Sequence, residues 1–201
     1  MTIDQARFRT GLTYDEYKAQ MTRNRDRLEA NEARVTIDPE DLAAFRALNG
    51  PIHVLALAED WCGDVIANLP VLGVLAREAG TLDVRVFLRD QHPDLMARYL
   101  NQGKYQSIPV FAFFDDAFNE LGVFIERPAS VTARRAAQRE ELHAAHPEFG
   151  PAGAPADTLP EDVRARLTAE IQAQREADKE WADREVVRAL RAIVERAPAT
   201  A

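Results

Sequence analysis

The chain has 201 residues, with 25 lysines and arginines against 33 aspartates and glutamates, a net charge of −8 and a sequence pI of about 5.1. This length allows one domain with an appendage. An acidic chain without a basic stripe does not neutralise phosphates, so nucleic acids and anionic membranes are not expected partners.

The N-terminal residues contain no apolar segment of the kind found in a secretory signal. The longest apolar stretches, Ile52–Ala58 and Ile108–Phe114, are too short to span a bilayer. A single cysteine permits no intrachain disulfide, and together these features favour the cytoplasm. The excess of arginine over lysine and the abundant alanine indicate a GC-rich, bacterial genome.

The first fifty residues predict helices. Thr13–Glu16 fits a capping box and begins the first of them. Asp38 followed by Pro39 predicts the start of another, which Gly50 ends. Residues 1–50 are therefore predicted to form a helical extension packed on the core.

The central part of the chain, residues 51–128, predicts alternating strands and helices. In order these are strand Ile52–Ala58, helix 62–79, strand Asp83–Leu88, helix Pro93–Leu100, strand Pro109–Phe114 and strand Leu121–Ile125. Pro70 is expected to kink the first of the two helices. The order of elements predicts a mixed sheet, with parallel pairing across the helical crossovers and an antiparallel final hairpin.

The C-terminal part, residues 129–201, predicts a helical region. A helix over 130–146 is followed by a proline- and glycine-rich linker over 147–160. A long helix is then predicted from 160 to 196. Its middle, 172–179, is polar nearly all round, which indicates a solvated stretch or a break.

The only cysteine, Cys62, follows the first predicted strand in the run Glu59-Asp60-Trp61-Cys62-Gly63-Asp64-Val65. The second cysteine of a Cys-x-x-Cys pair would stand at position 65, where this chain has Val65. A lone thiol can attack a disulfide, but a thiol from elsewhere must then resolve the mixed disulfide.

These residues resemble the thioredoxin superfamily, and more narrowly a bacterial branch whose site reads Trp-Cys-Gly-Asp-Cys. The resemblance rests on an apolar strand running into Trp61-Cys62-Gly63, on Pro70, and on Pro109, which lies 47 residues after the cysteine, near the place of the cis-proline of thioredoxins. It covers about residues 52–125. It implies an α/β, thioredoxin-like fold, with a central mixed sheet flanked by helices and helical extensions at both ends.

Two departures from the family concern the same chemical step. Val65 replaces the resolving cysteine, and Ala56 stands where thioredoxins carry a buried aspartate that assists proton transfer. An apolar residue at both positions argues against dithiol oxidoreductase activity.

The resemblance makes Cys62 the catalytic nucleophile and assigns substrate binding to its neighbours: Trp61, Gly63, Asp64, Ile108 and Pro109. At a helix start, free N–H groups and the helix dipole favour the thiolate, which predicts faster alkylation of Cys62 in the folded than in the unfolded protein. Asp64 opposes this by favouring the neutral thiol. Trp61 would form an apolar shelf beside the sulfur, and the backbone of Ile108 would pair with an extended peptide.

Two functions follow. One is monothiol exchange with protein or small-molecule disulfides, in which an external thiol such as glutathione or bacillithiol resolves Cys62. The other is a redox-inactive binding module whose face between Trp61 and Pro109 holds a peptide or protein partner. Neither requires a bound cofactor. His143 and His146 have no third ligand near them in sequence, so a surface role is favoured over a metal site.

Overall fold

The computed structural model describes residues 3–196. Its contacts divide the chain into two compact units, one built from residues up to Pro128 and from Asp183 onward, the other from Ala129–Ala182. Within residues 3–196, no helix is both long and apolar enough to cross a bilayer.

The N-terminal segment of the first unit forms four short helices: α1 (Gln5–Phe8), α2 (Tyr14–Gln20), α3 (Arg25–Glu32) and α4 (Pro39–Arg46). The predicted capping box is confirmed, because Thr13 Oγ1 accepts from Glu16 N at 3.2 Å and the Glu16 carboxylate accepts from Thr13 N at 2.7 Å. Helix α4 begins at Pro39 as predicted but ends at Arg46, before Gly50. Helix α1 was not predicted.

A four-stranded mixed sheet with flanking helices lies at the centre of this unit, which confirms the predicted α/β class. Its elements are β1 (Ile52–Ala58), α5 (Gly63–Ala79), β2 (Leu82–Leu88), α6 (Pro93–Arg98), β3 (Val110–Phe114) and β4 (Glu120–Ile125). The strand order is β2-β1-β3-β4. Strand β1 pairs in parallel with β2, and β3 pairs antiparallel with both β1 and β4.

The direction of β3 differs from the prediction of parallel pairing across both crossovers. A parallel β3 would require the connection to return along the whole strand, roughly 23 Å for seven residues. The connection instead contains a 3-10 turn at 89–91 and α6, which has six residues and covers only about 9 Å. The chain enters β3 at the end of the sheet where β2 ends, and β3 runs antiparallel to β1.

The two central strands carry apolar side chains on both faces, as the continuous apolar runs predicted. Every residue of β3 is buried, and β1 is buried except for His53. Helix α5 packs against α3, α4 and β2. Helix α2 also lies close to α5, because a Cβ built at Gly73 would come within 2.6 Å of the Tyr14 ring. Gly73 thus allows this close approach.

The second unit is helical. It contains α7 (Ala129–Ala145), α8 (Glu161–Ala177) and the start of α9 (Lys179–Val194), with two 3-10 turns between α7 and α8. A small core joins Leu142, Phe149 and Leu167. The long helix predicted from 160 to 196 is broken at Asp178, whose carboxylate accepts from Arg134 Nε at 2.8 Å. The polar middle of that sequence thus marks a break.

Candidate functional site

Cys62 lies at the N-cap of α5, directly after the loop that follows β1. Its side chain is partly exposed, and its thiol donates to the carbonyl oxygen of Ile108, with Sγ and O 3.5 Å apart. The backbone N–H groups of Val65 and Asp64 in the first turn of the helix act electrostatically on the sulfur, although the Cys62 side chain makes no capping hydrogen bond. The fold therefore brings Cys62 and Ile108 together across 46 positions of sequence.

The balance of these contacts raises the pKa of the Cys62 thiol. Burial is the largest cause, and the carboxylates of Asp64 and Glu126 act in the same direction. The N–H groups of Val65 and Asp64 lower the pKa, as the helix-start argument predicts, but their effect is smaller. The neutral thiol consequently predominates near pH 7, contrary to the activated thiolate expected from the helix end alone.

The inner side of the site is closed by apolar side chains. Val65, one turn after Cys62, and Ala56, in the middle of β1, are both fully buried. Ala56 is paired with Phe111 on one side and Val86 on the other. Beneath the cysteine there is thus neither a second thiol nor a carboxylate at the two positions that a dithiol reaction would use.

Ile108 and Pro109 form the wall opposite Cys62. Both residues are buried, the peptide bond between them is cis, and β3 begins immediately after them. The Pro109 carbonyl accepts from the backbone N–H of Glu126 at 2.7 Å. This bond holds Glu126, which follows β4, beside Pro109, which precedes β3.

A charged group that sequence reasoning missed borders the thiol. Arg127 Nη2 lies 3.3 Å from Asp64 Oδ2, and the same nitrogen contacts the Glu126 carboxylate. The side chains of Asp64 and Arg127 are both about one-fifth exposed, at 20% and 21%. Asp64 is therefore not a simple first-turn carboxylate, because it pairs with a cation that follows β4.

Glu126 is held in a demanding backbone conformation, with φ +65°. Asn68 donates to its carbonyl oxygen at 2.8 Å, and Asn101 donates to its side chain at 3.2 Å. The signal that could have identified Glu126 is strand register. Val110 is paired with Ile125, so the next residue along β4 must come opposite Pro109.

Trp61 and Gly63 form the open side of the site. The Trp61 side chain is 43% exposed, and no atom lies within 4 Å of a Cβ built at Gly63. The Arg89 guanidinium lies 4.8 Å from the centre of the Trp61 ring. Arg89 also donates to the carbonyl of Gln106 at 3.4 Å, so the loop before Ile108 lies beside the indole.

The loop that carries Trp61 and Cys62 is fastened to the N-terminal segment through Asp60. Oδ2 of Asp60 accepts from the backbone N–H groups of Thr22 at 2.8 Å and Arg23 at 3.0 Å. Asn24 in turn donates to the Asp60 backbone carbonyl at 2.8 Å. We name these contacts the Asp60 clamp.

Metal ligands do not gather in the part of the chain that the structure describes, where no group of three or more His, Cys, Asp or Glu side chains could hold an ion. His143 Nδ1 lies 2.7 Å from the carbonyl oxygen of Gly150, and His146 Nδ1 lies 3.4 Å from Glu148. Both histidines belong to the second unit, whereas Cys62 belongs to the first.

Comparisons with known proteins agree with this architecture. A family model described as Thioredoxin matches residues 11–140. A crystallised protein of unknown function from Pseudomonas aeruginosa is similar in fold, with a TM-score of 0.66, 16% identity, and coverage of 98% of this chain and 100% of that chain. A crystallised HIV epitope-scaffold has a TM-score of 0.65 at 16% identity, with the same coverages. No curated protein matches the sequence.

The two solved structures show the fold alone, because their identity to this chain is low. The family model spans well over half of the residues and includes both the loop of Cys62 and the segment of Ile108 and Pro109. The mixed sheet with its flanking helices and the single cysteine on the first turn of α5 fit that family. The chain belongs to the thioredoxin superfamily.

Proposed function

We propose that this protein binds an extended segment of another polypeptide at the face formed by Trp61, Cys62 and the loop before Pro109. In this role Cys62 is a neutral thiol within the binding surface. The observation that carries the proposal is the placement of exposed aromatic side chains. Among residues 3–196, Trp61 and Tyr105 are the exposed large apolar residues, at 43% and 52%.

Both aromatic residues border the same site. Trp61 precedes Cys62, and Tyr105 lies three residues before Ile108. Arg89 links their surroundings, since it covers the Trp61 ring and bonds to the carbonyl next to Tyr105. Exposed Trp and Tyr side chains are the residues that most often dominate binding energy at protein interfaces.

The interior of the site supports binding rather than dithiol chemistry. Burial raises the pKa of Cys62, and the buried positions beneath it hold Val65 and Ala56. A thioredoxin reaction needs a second sulfur within the chain, and Cys62 is the only cysteine.

Monothiol exchange is the second candidate, and the N–H groups of Asp64 and Val65, which lower the pKa of the Cys62 thiol, favour it. In that reaction the Cys62 thiolate attacks one sulfur of a substrate disulfide, forming a mixed disulfide and releasing the other sulfur as a thiolate. A glutathione thiolate then attacks the substrate sulfur of the mixed disulfide. This step regenerates the Cys62 thiolate and forms a disulfide between glutathione and the substrate.

One pair of measurements separates these functions. Reduced and carboxymethylated ribonuclease A is an unfolded chain without thiols, disulfides or tryptophan, so its binding requires no redox step and adds no tryptophan fluorescence. We expect it to quench or shift Trp61 fluorescence in a Trp181→Phe background, where Trp61 is the remaining tryptophan. Cys62→Ser should retain this binding, and Trp61→Ala should weaken it about tenfold or more, as measured by calorimetry.

The redox measurement uses hydroxyethyl disulfide with excess glutathione. The binding proposal predicts no turnover above the uncatalysed rate for wild type. Turnover that Cys62→Ser abolishes, together with no binding of the carboxymethylated chain, would replace the binding proposal with monothiol exchange.

A further inference from the structure

A second concave feature lies beside the Cys62 face, on the other side of the Asp60 loop. It is a cavity of about 230 Å³ between the end of α2 and the ends of β1 and β2. Two carboxylates, Glu59 and Asp60, line it together with the phenol of Tyr17. The apolar side chains of Met21 and Leu88 form another part of its wall.

Each carboxylate uses one oxygen to hold the backbone. Oδ2 of Asp60 accepts from the backbone N–H groups of Thr22 and Arg23, and Oε1 of Glu59 accepts from the backbone N–H of Asp90 at 2.8 Å. Among the described residues, no donor reaches Oδ1 of Asp60 or Oε2 of Glu59. Burial raises the pKa of Glu59, as expected of a carboxylate drawn away from water.

The Tyr17 hydroxyl is the independent sign of a missing ligand. Tyr17 is 1% exposed, and its hydroxyl has no hydrogen-bond partner among the described residues. Buried hydroxyls nearly always have a partner, because leaving one unpaired is unfavourable. Burial raises the pKa of Tyr17, and the charges of Asp60, Glu59 and Cys62 raise it further. Tyr17 lines the cavity together with the two carboxylates.

We propose that this cavity binds an alkylammonium group. Such a group has three N–H donors, and the cavity offers it three acceptors: Oε2 of Glu59, Oδ1 of Asp60 and the Tyr17 hydroxyl oxygen. Two carboxylates supply the opposite charge, and charge-assisted hydrogen bonds are the stronger kind. Met21 and Leu88 provide apolar surface for the methylene chain.

The alkylammonium group could come from a lysine side chain or from a free aliphatic amine. The lysine source rests on the proposed function, because the cavity adjoins the face proposed to hold a polypeptide. Ammonium binding by the cavity itself is independent of that function. The two are therefore tested with different probes.

The cavity is tested with n-butylammonium against 1-butanol, which has the same length and no charge, by titration at pH 7 with detection by NMR chemical shifts. We expect the ammonium to bind and the alcohol to bind at least about tenfold more weakly. Glu59→Gln and Asp60→Asn keep an oxygen acceptor for the backbone and remove the charge, and each should weaken ammonium binding about tenfold. Asp15→Asn is the control, because Asp15 is 90% exposed and lies outside the cavity.

Tyr17→Phe separates a ligand role from a structural one. The hydroxyl has no partner among residues 3–196, so its removal should leave the thermal midpoint unchanged or raised while butylammonium binding weakens. Equal affinity for alcohol and ammonium, or an equal loss of ammonium binding in Asp15→Asn, would overturn the proposal.

The source is identified with two carboxymethylated peptides that differ only in lysine or norleucine at one position. Tighter binding of the lysine peptide in wild type but not in Asp60→Asn assigns the cavity to a polypeptide side chain. Equal binding of the two peptides, with butylammonium still binding, assigns it to a free amine. If neither peptide binds but butylammonium does, the proposed polypeptide-binding function fails and the ammonium cavity stands.

Discussion

The surroundings of Cys62 are exposed and polar on its outer side and buried and apolar on its inner side. On the outer side, Trp61 and Gly63 are exposed, the Ile108 carbonyl accepts from the thiol, and the carboxylates of Asp64 and Glu126 act on the sulfur. On the inner side, Val65 and Ala56 are fully buried among apolar residues. In the proposed function, the outer side binds the partner polypeptide. The inner side holds neither the second thiol nor the carboxylate that a dithiol reaction would use.

Ala56→Asp is the most severe test of the closed inner side. A carboxylate in the middle of β1 should lower the free energy of unfolding by about 3 kcal/mol or more at pH 7. Burial would raise the pKa of this carboxyl above its unfolded value of about 3.9, so the folded state binds the proton more tightly. The loss should therefore shrink as the pH falls toward 4.

Ala56→Asn is the control for that experiment, since it introduces a polar group of similar size that does not titrate. Urea unfolding curves at several pH values measure both variants. A loss for Ala56→Asp that does not depend on pH would mean that the carboxyl reaches water and that the inner side is open.

The alkylation rate of Cys62 tests the outer side of the site. Burial raises the pKa of the thiol, and the thiolate is the species that is alkylated, so iodoacetamide should label the native protein several times more slowly than the urea-unfolded protein at pH 7. The labelling rates of the native and unfolded protein should become more similar as the pH rises through the pKa of the native thiol. Faster labelling of the native state would restore the helix-end expectation and favour monothiol exchange.

Val65→Cys tests whether position 65 faces Cys62. Loss of a buried methyl group should lower the free energy of unfolding of the reduced protein by about 1 kcal/mol. Under mild oxidant both thiols should disappear without dimer formation, because the two residues stand one turn apart at a helix start. Val74→Cys, a buried position farther along α5, is the control and should keep both thiols free.

Asp64→Asn should have the smallest effect. Removing this carboxylate lowers the pKa of the Cys62 thiol, and we expect labelling to become about threefold faster, as for other partly exposed charges. Asp15→Asn changes the net charge equally at an exposed position and should leave the rate unchanged. An unchanged rate in Asp64→Asn would indicate that the Asp64 charge is already neutralised by Arg127.

The features predicted from sequence are those that neighbouring residues determine. Local patterns determine the capping box at Thr13, the limits of β1 and the place of Cys62 just before α5. The direction of β3 and the break at Asp178 depend on contacts between residues distant in sequence. The sequence pattern predicted the wrong direction for β3, and it allowed either a break or a solvated stretch near Asp178.

The same distinction between local patterns and distant contacts applies to the residues around Cys62. The residues around Cys62 could be named because they follow one another or match a family motif. The sign of its pKa shift could not be worked out, because it depends on burial and on Glu126, which reaches the sulfur only through the pairing of β4 with β3. Arg127 was visible only as the residue before a proline, and its bond to Asp64 has no local signature.

The Asp60 clamp makes tolerance to substitution unequal on its two sides. Thr22 and Arg23 contribute backbone N–H groups, which every amino acid except proline possesses, and the Thr22 hydroxyl adds a longer bond of 3.2 Å. Asp60 contributes a side-chain oxygen at a fixed reach, which only asparagine reproduces closely. Sequence change at positions 22 and 23 should therefore keep the two backbone bonds, whereas most changes at position 60 should leave only the bond from Asn24 to the backbone carbonyl.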